Sequence, residues 1–387
     1  MDICEKKSCV GCGMCIDACP FQAISMRHDK HGFLYPEVDE QKCTKCEICK
    51  KKCPANAGKV STNVIQEIYA AWNKRLRIRR RSTSGGVFTV IANYILDNGG
   101  VVAGVKWNRA FSAEHTIIDR KENLYLLNGS KYVQSNTNSI YKAVKDNLEA
   151  GKPVLFSGTP CQNHALLSYL GKRYEKLLLV DLVCHGVPSE GVFSRYLDER
   201  TENGKRKIVN ICLRHKNPFW DFCNVTIKFK KGGRYSVPTV DDSYFSLFNV
   251  GFSLRPSCSE CRYTNQNRCG DITLADFWGF QAHSLKTTGY LSGVSLILVN
   301  SDSGKAVLQK VKNFLYIESA SLDAALRSNK SLTMPYKVPE NDSAAFWQDY
   351  ENGMSVDALC KKYITSPFKK PVLWRRLLSC VRWMLKK

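Results

Sequence analysis

The sequence predicts an α+β protein made of two unlike parts: a small, cysteine-dense module at the amino end and a larger mixed α/β domain behind it. Three observations carry this reading. One cysteine pattern occurs twice within the first 53 residues, two strand-loop-helix units follow each other between 154 and 200, and apolar residues recur at helical spacing after a Ser-Gly turn at 84–86. With 387 residues the chain can bury a large core and still carry an appendage. Its 44% apolar and 24% charged residues are ordinary for a globular chain.

Eighteen cysteines are not ordinary. Cys9, Cys12, Cys15 and Cys19-Pro20 read as C-x2-C-x2-C-x3-C-P, and Cys43, Cys46, Cys49 and Cys53-Pro54 repeat that spacing without a change. This is the bacterial ferredoxin run, in which three cysteines hold one cubane and the fourth reaches the other. Cys9, Cys12, Cys15 and Cys53 are therefore expected to hold one 4Fe-4S cluster, and Cys43, Cys46, Cys49 and Cys19 the second. Two zinc sites are the competing reading, but zinc takes four ligands of its own and needs no exchanged cysteine. Gly11 and Gly13 would let the backbone approach the first cubane where a side chain would crowd it.

The chain opens on Met1-Asp2-Ile3-Cys4-Glu5 without an apolar leader, so a reducing cytoplasm is the expected location, where thiolates hold metals rather than form disulfides. No apolar run reaches the length of about 18 residues that a membrane span requires. The formal charge of +22 is offset only slightly by two oxidised cubanes at roughly −2 each. Such an excess fits an acidic redox partner, nucleic acid, anionic lipid or a generally basic solvated surface, and charge alone does not separate them.

Taken in order, Phe21-Gln22-Ala23-Ile24-Ser25-Met26 and Gly32-Phe33-Leu34-Tyr35-Pro36 read as a hairpin, so residues 1–60 form the module and 58–63 a linker. A strand is expected over 65–72. The basic run 74–81 then leads into Ser82-Thr83-Ser84-Gly85-Gly86 and a helix that ends at Asn98-Gly99-Gly100. Arg79, Arg80 and Arg81 with Ser84, Gly85 and Gly86 form a candidate phosphate cradle, although a plain helix cap explains the turn equally well. A strand over 101–107 precedes the polar loop Gly129-Ser130-Lys131-Tyr132-Val133-Gln134-Ser135, in which Ser130, Lys131 and Tyr132 are candidate cofactor contacts.

The two units at 154–170 and 177–200 argue for a parallel sheet, whose post-strand loops gather at one edge. Cys161 and Cys184-His185 sit in those loops and can converge there; a buried small hydrophobe is the alternative for each cysteine. Residues 208–238 alternate as a hairpin broken at Lys231-Gly232-Gly233. Cys258, Cys261 and Cys269 follow within twelve positions and suggest a further metal site. Its fourth ligand would come from Cys161 or Cys184, and a cluster, zinc and structural thiols all remain open. A strand over 295–300 and a helix over 303–311 complete this domain, which is read as 65–330. The remainder, 331–387, is read as an extension whose basic amphipathic helix at 367–387 either contacts an anionic membrane or docks on the body.

Ser84-Gly85-Gly86-Val87, Gly129-Ser130-Lys131-Tyr132, Gly158-Thr159-Pro160-Cys161-Gln162, Cys184-His185-Gly186-Val187-Pro188-Ser189, and Cys258-x2-Cys261 with Asp271-Ile272-Thr273 and Asp276-Phe277-Trp278-Gly279 occur in one order over about 65–300. In that order they resemble the beta-subunit family of coenzyme F-420 hydrogenase/dehydrogenase, here preceded by a two-cluster ferredoxin domain. The resemblance implies an oxidoreductase whose larger domain binds FAD, fed by iron-sulfur centres. Its implied donors are a ferredoxin-like protein or a deazaflavin, and its implied acceptor is a small molecule. On this reading Arg80 and Arg81 meet cofactor phosphates, Lys131 stabilises negative charge on the reduced flavin, and His185 donates a proton. A non-catalytic relay subunit is the first rival. A nucleic-acid-binding protein ranks last, because no binding motif accompanies the charge and the cysteine module would go unexplained.

Overall fold

The computed structural model describes residues 1–57, 63–137, 139–217, 219–280, 292–338 and 340–364. The helix expected over 367–387 lies outside the described residues. Among the described residues the fourteen strands are β1 (Ile24–His28), β2 (Leu34–Val38), β3 (Glu67–Asn73), β4 (Val101–Trp107), β5 (Ala113–Ile118), β6 (Ser135–Asn136), β7 (Val154–Ser157), β8 (Leu177–Leu182), β9 (Ile208–His215), β10 (Asn224–Phe229), β11 (Arg234–Pro238), β12 (Ile272–Asp276), β13 (Ser295–Val299) and β14 (Leu315–Ser319).

A mixed nine-stranded sheet forms the body, in the order β14-β3-β13-β12-β8-β7-β4-β5-β6. Its centre, β4, β7, β8 and β12, is parallel, as the repeated units require, while β3, β5, β13 and β14 join antiparallel. Both faces are covered, which explains apolar runs such as Leu177-Leu178-Leu179-Val180. Leu178 and Val180 pack under the helices Val87–Asp97 and Asp302–Val311, while Leu177 and Leu179 face Ile140–Glu149 and Pro160–Leu170. The segment 208–238 holds three strands rather than a hairpin: β9, β10 and β11 make a separate antiparallel sheet.

The amino-terminal module carries the β1-β2 hairpin, shifted two or three residues from its expected place. It is bound to the body by polar contacts as well as packing. Met14 is fully buried, the Tyr141 hydroxyl donates to the Cys12 carbonyl at 2.8 Å, and the Asp17 carboxylate accepts from the amides of Tyr141 and Lys142 at the start of a helix. Those amides have no intrahelical partner, and the helix dipole favours an anion there.

The division expected at 330 does not match the packing. Helices Glu340–Glu351 and Val356–Tyr363 bury Phe346, Val356 and Leu359 in the core shared with Phe193, Tyr196 and Phe248. Polar, charged sequence around these apolar anchors concealed them. Among the described residues no helix is long and apolar enough to cross a membrane.

Candidate functional site

The parallel strands β4, β7, β8 and β12 end on one edge of the sheet, and two concavities open there. The first, of about 250 Å³, is lined by Cys161 from the loop after β7, Cys184 from the loop after β8, and Cys258 and Cys261. One of Cys161 and Cys184 was expected to join Cys258, Cys261 and Cys269; the structure brings both, and Cys269 is not in the lining. Cys269 is buried near Asp181 and Arg268, within reach of the Cys161 charge but outside the pocket wall.

Burial pushes the Cys161 thiol up to about 11 and Cys258 to about 12, and raises Cys184 and Cys261. Four thiolates here would repel one another in a medium that disfavours charge, so only a bound cationic centre makes the ionised set tenable. Thr159 adds a hydroxyl 3.1 Å from the Cys161 sulfur, and the Val187 amide donates to the Cys258 sulfur at 3.4 Å. Among the described residues no three His, Cys, Asp or Glu side chains are spaced for a single ion. A cubane takes each thiolate at a different iron and so accepts a wider spacing.

Residues Val10 and Pro54, adjacent to Cys9 and Cys53, line this same pocket. The module therefore faces the four cysteines with the flank that carries Cys9 and Cys53. Within the module, Cys19, Cys43, Cys46 and Cys49 share a second small pocket, and Cys46 is exposed. Cys9 and Cys15 each lie close enough to Cys12 and to Cys53 for their charges to interact, with Cys4 against Cys9 and Cys53. Where a Cβ on Gly11 would lie, the Gln134 amide and the Arg255 guanidinium are 2.1 and 2.6 Å away; at Gly13 the Thr137 hydroxyl is 2.2 Å away. Both glycines have positive φ and admit the body's side chains.

The second concavity is a cleft of about 1220 Å³. Arg80, Arg81, Ser82, Thr83, Gly129 and Ser130 form one side, and β9 with Lys216 the other. Trp107, at the end of β4, adds an aromatic wall. Arg214, His215, Lys216 and Lys228 also line it, and among the described residues the lining holds no carboxylate. A cavity this size exceeds the ~300–1,000 Å³ typical of small-molecule sites and suits a large anionic ligand. Its rim is tied by contacts between side chains and backbone: Ser130 donates its amide to the Thr83 hydroxyl at 2.8 Å, and the Lys216 ammonium donates to the carbonyls of Arg79, Ser84 and Ser292.

The expected cofactor residues divide. Arg80, Arg81 and Ser130 line the cleft. Ser84 and Gly85 bond to Val294 and Ser295 of the sheet, where a Cβ on Gly85 would sit 2.4 Å from the Ala71 carbonyl. Gly86 takes the left-handed conformation that caps the following helix. Arg79 is buried with its guanidinium on the Gly293 carbonyl. Lys131 donates to the carbonyls of Leu126 and Asn128, and burial lowers its pKa to about 7. Tyr132 is half-buried, with its hydroxyl accepting from Arg214 and its carbonyl from Tyr244. His185 lines the cysteine pocket, not the cleft, with Nε2 3.3 Å from the Phe248 carbonyl.

Among the cleft residues that escaped the sequence reading are Arg214, His215 and Lys216. They form a basic triplet where β9 ends, a signal hidden inside what looked like an ordinary alternating hairpin.

Three stretches of the chain match known protein families. Residues 8–57 match the family described as "4Fe-4S dicluster domain". Residues 68–142 match "Coenzyme F420 hydrogenase/dehydrogenase, beta subunit N-term", and residues 151–325 match the family described for the carboxyl terminus of that same beta subunit. An uncharacterized ferredoxin of Methanocaldococcus jannaschii is 36% identical over 55 residues, covering 14% of this chain and 70% of that protein. A chain of the F420-reducing [NiFe] hydrogenase complex from Methanosarcina barkeri superposes with a TM-score of 0.46 at 15% identity, covering 71% of this chain and 91% of that one.

Proposed function

This chain belongs to the coenzyme F420 hydrogenase/dehydrogenase beta-subunit family and carries a 4Fe-4S dicluster domain, which gives it an iron-sulfur redox role; from that premise we propose that it is an iron-sulfur flavoprotein oxidoreductase. Electrons pass between a ferredoxin-like or deazaflavin donor and a small-molecule acceptor by way of 4Fe-4S clusters and FAD. The observation that carries the reading is the shared edge of β4, β7, β8 and β12, where the four-cysteine pocket, flanked by the module, and the basic cleft both open.

In this reading Cys19, Cys43, Cys46 and Cys49 hold the outer cluster, Cys9, Cys12, Cys15 and Cys53 the inner one, and Cys161, Cys184, Cys258 and Cys261 a third. FAD, when bound, supplies the change from one-electron to two-electron chemistry. The chain's own part is placement. Arg80 and Arg81 neutralise a pyrophosphate, Ser130 and Thr83 fix the loop beside it, and Trp107 offers a flat apolar surface. Lys216 ties the segments at 79–84 and 292 to the end of β9.

Anaerobic purification followed by iron, sulfide, zinc and flavin counts tests the proposal. About twelve iron atoms and one flavin per chain are expected. Zinc in place of iron, or the lack of a yellow chromophore, would overturn it.

A further inference from the structure

Four arginines are almost wholly buried near the sites; two of them have a carboxylate, and Arg79 rests on the Gly293 carbonyl. Arg268 donates to Asp181 at 3.1 Å, and Arg214 donates to Asp276. Arg255 differs. It is 1% exposed, and its hydrogen bonds go to three neutral oxygens: from Nε to the Cys9 carbonyl at 2.7 Å, from Nη1 to Gln134 Oε1 at 2.9 Å and from Nη2 to the Leu34 carbonyl at 2.9 Å. Among the described residues no carboxylate pairs with it. Carbonyl dipoles and the faces of Tyr35 at 4.2 Å and Phe33 at 5.6 Å soften the charge without cancelling it. A buried guanidinium without a carboxylate is expensive, so the question is which anionic groups lie within reach of its charge.

Position answers it. Arg255 lies three residues before Cys258, its carbonyl accepts from the Cys258 amide at 2.9 Å, and its own amide donates to the Val187 carbonyl in the loop that carries Cys184. Its side chain crosses to the module, where Nε donates to the Cys9 carbonyl, while its own backbone holds the turn that carries Cys258. Gly11 provides the room, since a Cβ there would be 2.6 Å from Nη1. The guanidinium therefore stands between the inner cysteine set and the four-cysteine pocket.

We propose that Arg255 is the fixed counter-cation shared by the inner amino-terminal cluster and the third cluster, raising the reduction potential of both and leaving the outer cluster untouched. This rests on the cluster assignments made under the proposed function. An oxidised cubane with four thiolates carries about −2 and gains one more negative charge on accepting an electron, with no bond made or broken. A buried cation stabilises the reduced form more than the oxidised one. Arg255 is thus a positioning and tuning residue, not a cluster ligand.

The test is an EPR-monitored redox titration of the full chain purified anaerobically, as wild type, Arg255→Lys, Arg255→Gln and Gln134→Glu. Gln134→Glu sets a carboxylate against the guanidinium while keeping Arg255 and its bonds to Cys9 and Leu34. Arg255→Gln and Gln134→Glu should each make two of the three centres at least tenfold harder to reduce, about 59 mV for one electron. The outer centre should not move, and Arg255→Lys should stay near wild type. If Arg255→Gln fails to bind iron, Gln134→Glu decides. Full iron content with unchanged potentials, or an equal shift in all three centres, would overturn the inference. A wild-type protein without iron would instead remove the reading beneath it.

Discussion

Arg214 donates through Nη1 to one carboxylate oxygen of Asp276, and Trp220 Nε1 donates to the other at 3.1 Å. The pair closes the gap between the end of β9 and the end of β12, beside the basic cleft. Trp278 completes the arrangement: it stacks on Trp220 at 4.4 Å and carries the Arg214 guanidinium at 4.9 Å from its ring centre. The Asp276-Phe277-Trp278 stretch is thereby explained residue by residue, since Phe277 is buried in the core against Phe280.

Removing one partner of a buried ion pair leaves the other charge uncompensated. Asp276→Ala should lower stability by about 3–5 kcal/mol, measured by denaturant unfolding. A loss below about 1 kcal/mol would show that the pair is not closed in solution.

The double substitution Arg80→Ala/Arg81→Ala removes two charges from the cleft wall without touching the core. Flavin content after gel filtration should fall at least tenfold while iron content holds. Unchanged bound flavin would remove the phosphate role from these two arginines.

Much of this was legible because two cysteine motifs and two strand-loop-helix units are local patterns with fixed spacing. The convergence of Cys161 and Cys184 could be anticipated from the rule that post-strand loops share an edge, but the displacement of Cys269 could not, because sequence proximity to Cys258 and Cys261 says nothing of which way a buried chain turns. Ser84, Gly85 and Gly86 looked like a phosphate cradle; their real constraint is close packing on Ala71 and Ser295, which spacing alone does not distinguish from ligand contact. Arg255 was invisible for a related reason. A charged residue in sequence is read as solvated, and only the fold shows it buried beside Cys9.

Cys184→Ala and Cys258→Ala should each reduce iron from about twelve to about eight atoms per chain and leave the amino-terminal pair intact. Cys269→Ala, outside the pocket lining, should keep the full count. Loss of iron in Cys269→Ala with retention in Cys184→Ala would reverse the assignment.

Lys131 gives a pH signature. Burial lowers its pKa to about 7 in the folded chain, against an ordinary lysine value near 10.4 when unfolded. Between those values the unfolded chain binds more protons, so this group makes stability rise with pH from about 7 towards 10. Lys131→Met should flatten that rise in the melting temperature. An identical pH profile in the variant would mean that the ammonium is not buried.

The central claim is that electrons reach the flavin through the cysteine pocket between module and cleft. Anaerobic stopped-flow mixing with a reduced ferredoxin, recording flavin bleaching in wild type and Cys184→Ala, tests it most directly. The account predicts rapid bleaching in wild type and a rate at least a hundredfold lower in the variant with flavin still bound. Equal rates in the two proteins would contradict it.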